Sequence, residues 1–142
     1  MTEKQLHKQT CDYLKLQHPK VIFNTDMSGI KLTIGQAKQA KELRSDEGFP
    51  DIMIFECSKP VFDDISLYSA LFLEIKKETP YKIDGTLKKM TKYENVGGIE
   101  IAYDHLQRQN DMHIRLRKRG YMAEFVWTFS MIKEVIDTYL KG

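Results

Sequence analysis

The chain has 142 residues, 42% of them hydrophobic and 30% charged. That is length enough for one buried core, and the composition excludes a disordered or fibrous protein. The formal net charge is only +2, so any nucleic-acid-facing surface must come from local clustering of basic residues. Cys11 and Cys57 are too few for a disulfide framework, and neither has a companion at zinc-ligand spacing. No signal peptide or membrane-length apolar run is apparent, and no repeat or linker divides the sequence. The expectation is an intracellular, cytoplasmic protein without membrane contact, a single domain over residues 1–142.

Thr2 to about Gln17 reads as a helix, with Thr2 as cap and Gln5 in the capping-box position. Leu6, Thr10, Tyr13 and Leu14 form its inward stripe. Glu3 lies over Thr10 and Leu14, but it is also the first-turn acid that a helix dipole favours. Pro19 ends the helix, and residues 20–24 read as a short strand. The turn at 26–31 carries Lys31, a simple turn residue or a phosphate contact. Gly35 to Arg44 reads as a helix with a basic side formed by Lys38, Lys41 and Arg44.

Gly48-Phe49-Pro50-Asp51 leads into an apolar strand, 51–55, and Pro50 fixes the direction from which Asp51 enters it. Residues 56–69 form a loop in which Asp63 and Asp64 read as solvated acids. The next strand, Ala70 to Lys76, alternates. Leu71, Leu73 and Ile75 face one way, while Phe72, Glu74 and Lys76 face the other. If the two strands pair, Asp51 meets Glu74 and Lys76, giving two acids and an ammonium at one point. A solvated edge explains such a mixture as well, but here the charges interrupt strands that otherwise read as buried.

The segment 78–103 is long and carries Lys82, Lys88, Lys89 and Lys92 among Tyr81 and Tyr93, with turns at Asp84-Gly85 and Gly97-Gly98. Basic residues interleaved with aromatics suit a nucleic-acid-facing element; a flap or a dimer arm are the alternatives. Asp104 to Arg119 is a helix that puts His105, Gln109, Met112 and Leu116 on one face, so Gln109 needs a partner inside. Arg108, Arg115 and Lys118 form a separate basic stripe. Gly120 caps the helix, Tyr121 to Phe129 reads as a last strand, and Ser130 caps a final helix, 131–140.

Pro50-Asp51 followed by Glu74-x-Lys76 resembles the PD-(D/E)XK nuclease signature. Glu3, the Gly48-Phe49-Pro50-Asp51 block, and Gln109 followed by Leu116 and Gly120-Tyr121 narrow the resemblance to the virus-type replication-repair (VRR-NUC) branch. It runs from Glu3 to the C-terminal helix; the long basic insertion at 78–103 departs from it. The resemblance implies an α/β restriction-endonuclease-like fold, with a mixed central β-sheet flanked by helices. It implies a metal-dependent DNA endonuclease with catalytic residues Asp51, Glu74, Lys76 and Gln109. Glu3, Asp51, Glu74 and the Ile75 carbonyl would hold Mg²⁺, for which Mn²⁺ can substitute. The DNA-binding residues would be Lys31, Lys82, Lys88, Lys89, Lys92, Arg108, Arg115 and Lys118. Standalone proteins of this branch are associated with viruses and branched DNA, which points to a homodimer acting on four-way (Holliday) junctions. The rival reading is an inactive nucleic-acid-binding or scaffold protein on the same fold.

Overall fold

The computed structural model describes residues 1–26, 33–58 and 67–141. Lys31 and the acids Asp63 and Asp64 lie outside them. The elements run α1 (Glu3–Gln17), β1 (Phe23–Thr25), α2 (Ile34–Leu43), β2 (Ile52–Ile54), β3 (Leu71–Ile75), β4 (Thr91–Val96), β5 (Ile99–Asp104), α3 (His105–Lys118), β6 (Met122–Val126) and α4 (Phe129–Lys141). Among the described residues no helix is long and apolar enough to cross a membrane.

The central sheet has the order β1-β2-β3-β6. The first two pairings are antiparallel, and β3 pairs β6 in parallel, so the sheet is mixed as expected. All five residues of β3 are buried because it is an interior strand covered on both faces. Leu71, Leu73 and Ile75 join Ile52, Ile54, Val126, Leu6, Leu14, Ile132 and Ile136 in the main core, beneath α1 and α4. On area alone, burying those three β3 side chains contributes roughly 5–9 kcal/mol. That margin allows the strand to carry Glu74 inward on its other face. There Phe72 packs with Ala70 and Ala123, next to α3.

Local chemistry sets the ends of the elements. Thr2 and Gln5 form the expected capping box. Thr33 and Gln36 form another at α2. Gly120 adopts φ 91°, and the Tyr121 N–H reaches back to the Leu116 carbonyl, closing α3 as the glycine implied. One expectation is corrected at α4. The helix starts at Phe129, and Thr128, not Ser130, accepts from the Met131 N–H at 3.1 Å. Thr128 stands just before the helix, where its hydroxyl can reach that orphan amide.

Residues 78–103, read from the sequence as an insertion, form defined structure. Tyr81 bridges Leu87 around a tight loop, and β4 and β5 form a two-stranded hairpin turning at Gly97-Gly98. Neither hairpin strand pairs with the central sheet.

Candidate active site

Asp51 stands one residue before β2, and β2 pairs β3 so that Ile52 faces Leu73. This register carries Asp51 to the level of Glu74. The Asp51 Oδ2 accepts the Ile75 N–H at 2.8 Å, so one carboxylate oxygen is fixed by the neighbouring strand. The Asp26 N–H in turn donates to the Asp51 carbonyl at 2.9 Å, tying down the other side. Upstream, Gly48 takes φ 84°, and a Cβ there would stand 3.4 Å from the Arg108 carbonyl of α3. The turn therefore favours glycine for its backbone angle, while a Cβ there would make only ordinary contact with α3. Arg108 precedes Gln109, so the same contact sets Asp51 against the glutamine.

Glu74 is 3% exposed. Burial raises its pKa well above the ordinary carboxylate range; the facing Asp51 adds to this and Glu3 adds less, while Lys76 opposes it. Gln109 Nε2 donates to Glu74 Oε1 at 2.9 Å, the inward partner that its helix face required. Its own Oε1 is buried without a partner among the described residues. Lys76 is 7% exposed and forms no ion pair among the described residues; its Nζ lies 5.9 Å from the centre of the Phe125 ring. A cleft of about 270 Å³ joins Glu3, Asp51, Glu74, Lys76, Lys92 and Gln109.

The cleft brings in residues that the sequence reading did not assign. Asp26, Arg44 and Glu47 line it, with Arg44 3.8 Å from Asp26 and 3.6 Å from Glu47. His105 lines it too, with its Nδ1 buried and unpartnered; burial and nearby cations, Lys92 first, lower its pKa to about 4. Behind the cleft His113 is fully buried against Phe125, neither ring nitrogen has a partner among the described residues, and burial lowers its pKa to about 3. A signal existed. His105, Gln109 and His113 are spaced i, i+4, i+8 on the inward face of α3.

The proposed DNA contacts divide. Lys92 lines the cleft, and Lys82, Lys89 and Lys118 are exposed. Arg108 is held by both oxygens of Glu94, at 3.0 and 3.2 Å, and lies 3.8 Å over the Tyr103 ring. Arg115 is paired with Asp46 at 2.9 Å. The basic stripe of α3 is thus largely compensated by carboxylates.

The donor set suits a hard cation. It offers carboxylate oxygens and an unpartnered amide oxygen, and Glu74 carries a charge that burial and Asp51 both disfavour. Among the described residues no group of three or more His, Cys, Asp or Glu side chains is placed to hold a metal ion, so Glu3 does not join Asp51 and Glu74 in such a group. A cation here would have to draw on backbone oxygens and water as well as on these carboxylates.

A mixed sheet with helices on both faces and an acid-lined cleft defines an α/β domain with its polar site beside the central strand. The same fold occurs in a solved structure described as a VRR_NUC domain protein. The match covers 99% of this chain and 89% of that one, with a TM-score of 0.61 and 17% sequence identity. At this identity the likeness shows a shared fold, which is the α/β architecture that the resemblance implied. No protein-family model matches the chain, and no curated protein matches it.

Proposed function

We propose that this chain is a metal-dependent DNA endonuclease of the VRR-NUC type, hydrolysing phosphodiester bonds. The observation that carries the reading is the meeting of Asp51, Glu74, Lys76 and Gln109 in one cleft. Asp51 and Glu74, with Glu3 and the Ile75 carbonyl, would hold Mg²⁺ or Mn²⁺. The chemistry a cation held there would supply is polarisation of a phosphate oxygen and a lowered pKa for a bound water. The chain's own residues do the rest. The Ile75 N–H orients Asp51, and Gln109 orients Glu74. Lys76, already desolvated, is set to neutralise the charge that gathers on the phosphate as water attacks. No covalent intermediate is needed.

Branched DNA, including four-way junctions, is the proposed substrate, cut by a homodimer whose two-fold axis matches the two equivalent strands. A cleavage panel of single-stranded, duplex, flap and four-way DNA tests this, with Mg²⁺, Mn²⁺ or EDTA. Cutting of branched DNA that stops in EDTA is expected. No cutting of any substrate, or full activity in EDTA, would refute the reading. Sedimentation of the free and junction-bound protein tests the dimer.

A further inference from the structure

The loop between Tyr81 and Leu87 is built more stiffly than a connection requires. Lys82 donates its N–H to the Thr86 carbonyl at 2.7 Å, and the Gly85 N–H returns to Lys82 at 2.9 Å. Gly85 takes φ 86°, giving a three-residue turn with a bulge glycine. Asp84 Oδ1 accepts from both the Thr86 N–H, at 2.9 Å, and the Thr86 hydroxyl, at 2.6 Å. The base is anchored as well. Pro80 is buried, its carbonyl takes the Lys88 N–H at 2.8 Å, and Tyr81 sits edge-on to Phe125 and Trp127. At the tip Ile83 is fully exposed, with no surface of its own protein to cover it.

A single exposed aliphatic residue is ordinary. This one stands on a rigid mount amid cations. Lys82, Lys88 and Lys89 make no ion pair among the described residues, and the nearby Asp84 is engaged with Thr86. The tip of the β4–β5 hairpin also exposes Val96 and Ile99, but Glu100 beside them disfavours phosphate. Ile83 follows Lys76 by seven residues, so it lies within about 25 Å of the cleft's lysine along the chain.

The geometry points to Ile83 as an apolar wedge that enters an opened base step of branched or kinked DNA while the surrounding lysines hold the flanking phosphates. The inference rests on the nuclease reading and adds to it the residue that selects the substrate's shape. Aliphatic side chains pushed between base steps unstack them, and a branch point has already lost part of that stacking. The wedge therefore favours branched DNA over intact duplex.

The test uses full-length protein in EDTA and a four-way junction with 2-aminopurine beside the branch. The wild type should raise its fluorescence. Ile83→Ser should abolish that rise and reduce the preference for junction over duplex by about tenfold, the lower end of what burying one aliphatic side chain is worth. Ile83→Leu should retain both effects, and thermal unfolding should show all three proteins equally stable. If Ile83→Ser unstacks and discriminates like the wild type, the wedge is refuted, and Ile83 serves some other partner or none. A parallel Mg²⁺ cleavage assay separates the two readings. Cutting by the wild type without any wedge effect removes the wedge and leaves the nuclease; no cutting or DNA binding by the wild type removes both.

Discussion

Glu74→Gln distinguishes a site built for a cation from a buried structural carboxylate. Glutamine keeps the shape and an oxygen to accept from Gln109, and its amide can donate to Asp51 where two carboxylates now face each other. Two like charges about 4 Å apart at an effective dielectric near 20 repel by roughly 4 kcal/mol, which Lys76 and residual water reduce. A net gain of about 1–2 kcal/mol for the variant is therefore expected at neutral pH in EDTA, a rise in Tm of roughly 3–8 °C. The pH dependence carries the same information. With the folded pKa of Glu74 raised above its ordinary 4.5, the native state holds the proton longer than the unfolded chain does. Its stabilising contribution is complete below 4.5 and is lost as pH rises through the folded value. Wild type should lose that increment as pH rises through the folded pKa of Glu74, and Glu74→Gln should not. Mn²⁺ should restore it to wild type, by about 2.7 kcal/mol at a hundredfold excess over Kd, and do less for the variant. Cleavage by the folded variant should fall at least about a hundredfold. Thermal unfolding with and without Mn²⁺, paired with single-turnover cleavage, provides the assay. A variant less stable than wild type in EDTA that still cuts DNA at the wild-type rate would refute the reasoning.

Asp51→Asn keeps an acceptor for the Ile75 N–H, whereas Asp51→Ala orphans it. Urea unfolding should show Asp51→Ala less stable by about 1–3 kcal/mol and Asp51→Asn little changed, while both lose cleavage. Arg108→Ala should release the β4–β5 hairpin, read as faster amide exchange in residues 91–104, with global stability changed by no more than about 1 kcal/mol because the ion pair is partly exposed. Unchanged exchange would show that the Glu94 and Tyr103 contacts do not fasten it. His113 titrates at about 3 in the folded chain against its ordinary 6.5, so the unfolded chain binds the extra proton and stability falls as pH drops from 6.5 toward 3. His113→Leu should flatten that slope in urea midpoints taken across the range; an unaltered slope would place the acid sensitivity elsewhere.

The part of the site that was legible in sequence is the part that local periodicity controls. Leu71 to Lys76 alternates strictly, so the face shared by Glu74 and Lys76 followed from the pleat. The apolar stretch after Pro50 then gave Asp51 a strand to enter, and Gln109 on an inward helix face required a partner that turned out to be Glu74. Sequence failed where long-range partners decide. Arg108 and Arg115 read as free cations, yet Glu94 and Asp46, 14 and 69 residues away in the chain, hold them. The β4–β5 hairpin was missed because most of both its faces meets solvent, which removes the apolar alternation that betrays a half-buried strand. Its attachment to α3 through Glu94 and Tyr103 has a consequence for the site. Arg108 approaches Gly48 through its backbone, grips the hairpin through its side chain, and precedes the glutamine that holds Glu74. The hairpin is thus attached to α3 at the residue that precedes the glutamine bonded to Glu74.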